Sequence, residues 1–390
     1  MASRIPKLLV DIHTHVYLPR YASVLRSREV APRILSRTTA SGQTEERLLI
    51  LDNEPSGGRP VGPQYWDRDE KLRFMDKHGI DISIVSMANP WLDFLPYKSA
   101  LDLSTNLNAD LQTYCSTSPS LTSVEPSLNR LYALGLIPLV NDTPADTLVP
   151  FIRNLSANHP HIRGIILGTR GRGKGLDEPE LEEMWGALEE TGLVVFLHPH
   201  YGVGGGENVW GERENGHVLP LALGFPFETT AAVTRLILSG LLDRHPNMRI
   251  LLAHAGAALP LLSSRLASCI THDPLVAHRL QHDARYYLGK LYYDAVAYGA
   301  AELGFVSAVI GRAEREGTTR EEEGDAERGS TRIMFGTDHP FFPPIGEEGG
   351  DQKWQSVLDN LDAVQGVAKW SGEAKDGVKG GNALRLFGLI

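Results

Sequence analysis

Apolar residues return along this chain in two alternating rhythms. Short runs rich in β-branched residues lie at 8–15, 82–89, 131–139, 162–168, 193–200, 249–256, 291–298 and 332–338. Between and after them, at 67–79, 100–117, 143–157, 178–191, 227–243, 259–270, 300–314 and 353–366, apolar positions recur every three or four residues. The first rhythm predicts strands and the second predicts amphipathic helices. Strands apolar on both faces and separated by helices belong in a parallel sheet with right-handed crossovers. Eight such units close an α/β, (β/α)8 barrel spanning 1–390 as a single domain. Two stretches break the rhythm. Residues 17–66 are far too long for an ordinary βα loop; with the run RLLILD at 47–52 and the Gly/Pro-rich 54–63, they predict a strand-bearing insertion capping the barrel mouth. Residues 312–330, charged and almost without apolar anchors, predict a mobile surface loop or helix extension with no catalytic role. The glycine-rich 204–216 predicts a lid or rim.

Composition narrows the classes. With 42% hydrophobic and 22% charged residues the chain is ordinary for a globular protein. A net charge of −10 argues against nucleic acid, which is bound through clustered Lys and Arg. Cys115 and Cys269 have no CxxC neighbour, so neither a thiolate zinc site nor a disulfide framework is expected. The start MASRIPKLLVDIHTH leaves no room for a secretory h-region, and no apolar run is long enough for a membrane span. A cytosolic location is expected.

Chemistry gathers at the ends of the apolar runs. LLVDIHTH carries His13 and His15, LVVFLHPH ends the fifth run with His198, RILLAHAG ends the sixth with His254, and RIMFGTDHP ends the eighth with Asp338. Strand C-terminal ends are where barrel enzymes keep their reacting groups. His13 and His15, two apart on a strand, face the same way, about 6.6 Å apart along it. Imidazoles plus a carboxylate suit Zn²⁺ or a similar ion, including Mn²⁺. We expect His13, His15, His198 and Asp338 as ligands, with one position left for water or substrate, and His254 beside the ion as an acid/base or orienting group. The fourth run ends in Gly168 and Thr169 where a bridging lysine would serve a second metal, so one ion per subunit is expected. GRGKG around Lys174 lacks P-loop spacing. His200, His245, His272, His278 and His282 are read as ordinary rim or surface histidines.

These residues resemble the amidohydrolase superfamily, and within it the branch of decarboxylases that includes aminocarboxymuconate-semialdehyde (ACMSD) and γ-resorcylate decarboxylases. The strings ANPWLDF (88–94), RGIILGTRGRGKGLDEPEL (163–181), FLHPHYG (196–202), GHVLPLALGFPFETT (216–230) and GTDHPFFPPI (336–345) are most similar to fungal isoorotate (uracil-5-carboxylate) decarboxylases. The resemblance covers about 8–386, except 17–50 and 312–330. It implies a TIM barrel of the amidohydrolase type, the same metal ligands, and His254 and Asp338 as catalytic groups. It also implies substrate contacts at Arg59, Asn89, Phe225, Phe341 and Arg265, with His217 at the rim. It further implies a homodimer or homotetramer in which Arg265 reaches the neighbouring subunit's site. Without the resemblance, Phe225 and Phe341 could be core aromatics, and Arg59 and Arg265 solvated charges.

The implied reaction is loss of CO₂ from uracil-5-carboxylate, giving uracil. Its electrons need C5 protonated first, and Asp338 assisted by His254 is the expected donor. Three alternatives use the same residues differently: an ACMSD-type or hydroxybenzoate decarboxylase, a metal-dependent hydrolase, or a metal-retaining binding protein.

Overall fold

The strands Val10–Val16, Ile82–Met87, Leu131–Gly135, Ile162–Leu167, Val194–Leu197, Ile250–Leu252, Tyr292–Asp294 and Ile333–Met334 pair side by side in chain order, every pair parallel. They are seen in a computed structural model that describes residues 7–38, 44–52, 57–122, 127–202, 215–313, 320–344 and 352–390, with Gly42, Glu54 and Arg315. The sheet closes between its last and first members. Ile12 N–H donates to the Phe335 carbonyl (3.1 Å), Asp338 N–H to that of His13 (2.7 Å) and His15 N–H to that of His339 (2.6 Å). The result is the expected (β/α)8 barrel. Its strands are buried almost throughout, which is why they read as continuous apolar runs rather than alternating ones.

Each strand is shorter than the run that predicted it. In the sixth, pairing stops at Leu252, and His254, Ala255 and Ala257 take positive φ (56°, 52° and 61°), turning His254 out of the ladder. Asp338, beyond the eighth, has φ 57°. Left-handed backbone is unfavourable for both residue types, and it aims their side chains across the barrel mouth.

The helices start and stop on local signals. Arg68–His78 is capped by the Asp67 carboxylate, which accepts from Asp69 N–H (2.8 Å), and ends at Gly79 with φ 69°. The helix expected at 227–243 instead begins at Pro220 as a π turn, runs on as Phe225–Leu238, and breaks at Gly240 (φ 72°) before the short Leu241–Arg244. Among the described residues, Pro220–Leu238 is the one helix long and apolar enough to cross a bilayer by length and composition, and the chain buries only 33% of it.

Residues 17–66 hold the helix Pro19–Arg26 and an antiparallel sheet of Arg33–Thr38, Thr44–Leu49 and Arg59–Val61. The structure makes Arg59–Val61 an edge strand, a position where Pro60, which has no N–H, costs no ladder bond. Within 312–330 the described residues include a short helix. Asp325–Ser330 is a helix pressed against Ala300–Arg312, and a Cβ on Gly311 would lie 1.8 Å from the Asp325 carbonyl oxygen, on Gly329 1.9 Å from that of Ser307. Asp325 is buried and paired with Arg315 (2.6 Å) and Arg328. The anchor is glycine contact and an ion pair, neither visible to an apolar-periodicity criterion. Residues 316–319 and most of the expected lid, 203–214, lie outside the described residues.

Candidate metal centre and active site

The apolar strands deliver five polar side chains to one point at the barrel's C-terminal end. His13 Nε2 lies 3.1 Å from His15 Nε2 and 3.4 Å from Asp338 Oδ1, and His15 Nε2 is 3.5 Å from the same oxygen. His198 stands between them, its ring centroid 5.3 Å from that of His13 and 5.0 Å from that of His15. Donor atoms of His13, His198, His254 and Asp338 all lie within 4.8 Å of one another. Ligands about 2.05 Å from a tetrahedral ion are about 3.3 Å apart, so the spacings around His13, His15 and Asp338 fit a small divalent cation.

The outer nitrogens settle which atom of each ring faces inward. His13 Nδ1–H donates to Asp294 (2.5 Å), His198 Nδ1–H to the Pro199 carbonyl (2.8 Å), and His15 Nδ1–H to Ser86 Oγ (3.0 Å). The Ser86 hydroxyl in turn reaches the Thr14 carbonyl (3.3 Å). Each bond fixes the tautomer that leaves an Nε2 lone pair pointing at the common centre. His254 differs. Its buried Nδ1 has no hydrogen-bond partner, its side chain is 20% exposed where the rings of His13 and His15 are 0–1%, and its Nε2 stands 3.8 Å from Asp338 Oδ2. Three imidazoles are committed and one is not.

Electrostatics follow the same division. Burial depresses His15 to about 4, and burial together with the neighbouring imidazoles holds His198 well below its usual value. Burial opposes charge on His13 too, but the carboxylates of Asp338 and Asp294 outweigh it and raise that ring to about 10. Burial likewise works against ionised Asp338, yet the charge of His13 and bonds from the surrounding imidazoles hold its carboxyl well below the ordinary range. The site therefore pairs an anionic Asp338 with a protonated His13 beside the depressed rings of His15 and His198; a divalent ion would take the place of the His13 Nε2 proton, which suits this donor set.

Asp294 is the residue that sequence reasoning missed. Buried at the end of the seventh strand, it accepts from His13 Nδ1 and from the backbone N–H groups of His254 (2.8 Å), Ala255 (2.7 Å) and Val296 (3.0 Å). It thereby holds a candidate ligand and the turn that strains His254. The signal was available: YYDAVAY places an acid at a strand end, like His198 and Asp338. Beneath the centre, Asp11 accepts from the Thr337 hydroxyl (2.8 Å) and N–H (3.0 Å), tying the first strand to the eighth, while buried Lys71 donates to Thr14 and stands 3.9 Å from Asp11.

The remaining candidates divide. Phe341 lies beside His15 (ring centroids 5.5 Å) and Phe225 beside His198 (6.3 Å). The Arg59 guanidinium sits 5.3 Å over the Phe341 ring and 3.3 Å from Glu54, which also faces His217 at 3.9 Å. Asn89 is buried, its Nδ2 donating to the His200 carbonyl (2.6 Å), so its Oδ1 is what remains to offer. Arg265 is not brought to the site of its own chain: it is exposed on the helix Leu259–Thr271, beside exposed Leu261 and Leu262. His200, read as a rim or surface residue, is instead 2% exposed, packed on Trp91 and Tyr201 with Nε2 2.5 Å from Asp93. Glu228 was also missed. It accepts from the N–H groups of His200, Tyr201 and Gly202 and from the Thr169 hydroxyl, locking the loop after His198 to the helix that carries Phe225.

Comparison with known proteins fits this geometry. The family model described as amidohydrolase matches residues 133–389. The 2-amino-3-carboxymuconate-6-semialdehyde decarboxylase of Dictyostelium discoideum is 26% identical over 385 residues, 98% of this chain and 92% of its own. The crystal structure of Metarhizium anisopliae IDCase superposes with a TM-score of 0.81 at 39% identity, covering 98% of this chain and 97% of that one. A 5-carboxyvanillate decarboxylase from Novosphingobium aromaticivorans, solved with manganese, shares the fold at a TM-score of 0.68 and 18% identity, over 98% of this chain and 96% of its own.

Proposed function

We propose, for a chain that belongs to the amidohydrolase family and stands among its metal-dependent decarboxylases, that the substrate is a flat unsaturated ring carboxylate, uracil-5-carboxylate, and the products uracil and CO₂. One observation carries the reading: the imidazoles of His13, His15, His198 and His254 gather about the Asp338 carboxylate, with Phe225, Phe341 and Arg59 around them. His13, His15, His198 and Asp338 would hold one divalent ion, Zn²⁺ or Mn²⁺. Once bound, it would supply Lewis acidity toward the substrate's carboxylate and adjacent carbonyl.

The chain's own groups do the rest. Phe225 and Phe341 offer faces to a planar ring, Arg59 a charge to its oxygens, and Asn89 Oδ1 an acceptor to a ring N–H. Breaking the bond to the carboxylate directly would leave an electron pair in the ring plane, outside the π system. Protonation of C5 comes first; the C5–carboxylate electrons then restore the C5–C6 double bond as CO₂ departs. Asp338 rests as the anion, so the proton enters from solvent through the exposed edge of His254. It reaches C5 directly or through Asp338, 3.8 Å away. The IDCase likeness and the GHVLPLALGFP block support the pyrimidine; the Dictyostelium relative supports a muconate-type acid as the second reading.

The test supplies the purified protein with uracil-5-carboxylate, hydroxybenzoates and aminocarboxymuconate semialdehyde while counting CO₂ and bound ions. Uracil formation, with Asp338→Asn losing at least about 10²-fold in turnover, is expected. Turnover of another acid alone, or near-normal turnover by Asp338→Asn, refutes the substrate and the role respectively.

A further inference from the structure

At the opposite end of the barrel, where strands begin, lies a hollow of about 330 Å³ lined by Arg249, Tyr292, Thr331, Arg332, Asn382 and Arg385. Its walls come from four places. Arg249 precedes the sixth strand, Tyr292 opens the seventh, Thr331 and Arg332 precede the eighth, and Asn382 and Arg385 sit on the helix Asn382–Leu386. The chain carries a net charge of −10, yet no carboxylate lines this hollow, and among the described residues none of its three arginines forms an ion pair. Each guanidinium is instead oriented by an uncharged neighbour. Arg249 donates to the carbonyls of Gly192 and Leu386, both 3.3 Å away; Arg332 lies 4.6 Å above the Tyr292 ring; Arg385 donates to Asn382 Oδ1 at 2.6 Å. Asn382 is buried and fixed through bonds of 2.8 Å to the carbonyls of Ser330 and Ile333. Like charges gathered in one concavity repel, and with Arg249 and Arg385 exposed and Arg332 half-buried their remaining donors face solvent.

We propose that this hollow is a second ligand site, remote from the metal centre, which takes the phosphoryl group of a small soluble anion. A guanidinium presents a planar fork of donors matched to phosphate oxygens, and a tetrahedral oxyanion offers acceptors in several directions at once, where a carboxylate offers two in one plane. The volume admits more than one phosphoryl group. Occupancy ties together the starts of the sixth, seventh and eighth strands, whose far ends carry His254, Asp294 and Asp338. Binding therefore also raises resistance to heat.

The experiment is calorimetric titration of the metal-loaded protein with inorganic phosphate and with pyrophosphate at constant ionic strength. It is repeated on the double variant Arg332→Gln/Arg385→Gln and, separately, on Arg249→Gln. Saturable binding of one anion per chain with a dissociation constant of about 1 mM or tighter, pyrophosphate the stronger, and weakening of about tenfold or more in the double variant are expected. Unchanged decarboxylation by the variants shows that they fold. Absence of saturation by about 10 mM overturns the proposal. So does binding that both variants leave untouched, since the anion then sits elsewhere, the metal centre included.

Discussion

Asp294 and His254 show how single residues divide the labour of the site. Asp294 touches no candidate substrate group, but it fixes the tautomer of His13 and the backbone of His254 together. Asp294→Asn keeps the shape and removes the charge that holds His13 Nδ1–H. Metal affinity is expected to fall about 10–100-fold, measured by competition with a chromogenic chelator. His15→Gln and His254→Gln should part company in elemental analysis. The first removes an inward lone pair and loses the ion. The second keeps the ion and loses about 10²–10⁴-fold in turnover, because only proton delivery is gone. Equal metal loss in both would make His254 a ligand instead.

The elements were legible where their physics is local. Every barrel strand coincides with an apolar run, the first overrunning its run by one residue at Val16, because strands covered on both faces cannot alternate. His13, His15, His198, His254 and Asp338 were readable because strand ends converge in a closed barrel. What escaped depends on contacts distant in sequence. The glycine contacts at Gly311 and Gly329, the Arg59–Val61 edge strand and the Glu228 clamp carry no periodic signature, and Asp294 is a lone acid in an apolar run. Two long-range contacts, the Asp325 ion pairs and the Glu228 clamp, lend themselves to measurement. The Asp325 carboxyl is disfavoured by burial, but the Glu322 N–H, Arg315 and Arg328 hold it below the ordinary carboxylate value. Its contribution to stability is therefore complete above the unfolded-chain value and lost as pH falls through the folded one. Asp325→Ala should cost about 1–3 kcal/mol in urea unfolding at neutral pH, with the gap to wild type closing in acid. Glu228→Ala frees the loop between His198 and Phe225, and should raise KM while the bound ion is retained.

Across the whole molecule, some large apolar side chains among the described residues remain exposed. Phe227 and Leu223 on the helix Pro220–Leu238 are exposed, as are Leu261 and Leu262 on Leu259–Thr271, the helix that carries Arg265. Exposed apolar surface is a place for association, and we propose that a second copy buries these side chains and brings Arg265 to the partner's site. Light scattering should report a dimer or larger, which Leu261→Glu dissociates. Arg265→Ala should lose activity yet stay assembled, and mixing it with Asp338→Asn should restore part of the turnover; no restoration would place the arginine outside the partner's site. A different dependence follows from the seam of the barrel, where Thr337 meets Asp11 across 326 positions of chain. The ion's would-be ligands sit on either side of that seam, His13 and His15 on the first strand and Asp338 beyond the eighth. The carboxylate and the imidazoles of the centre thus come together only once the eighth strand has joined the first.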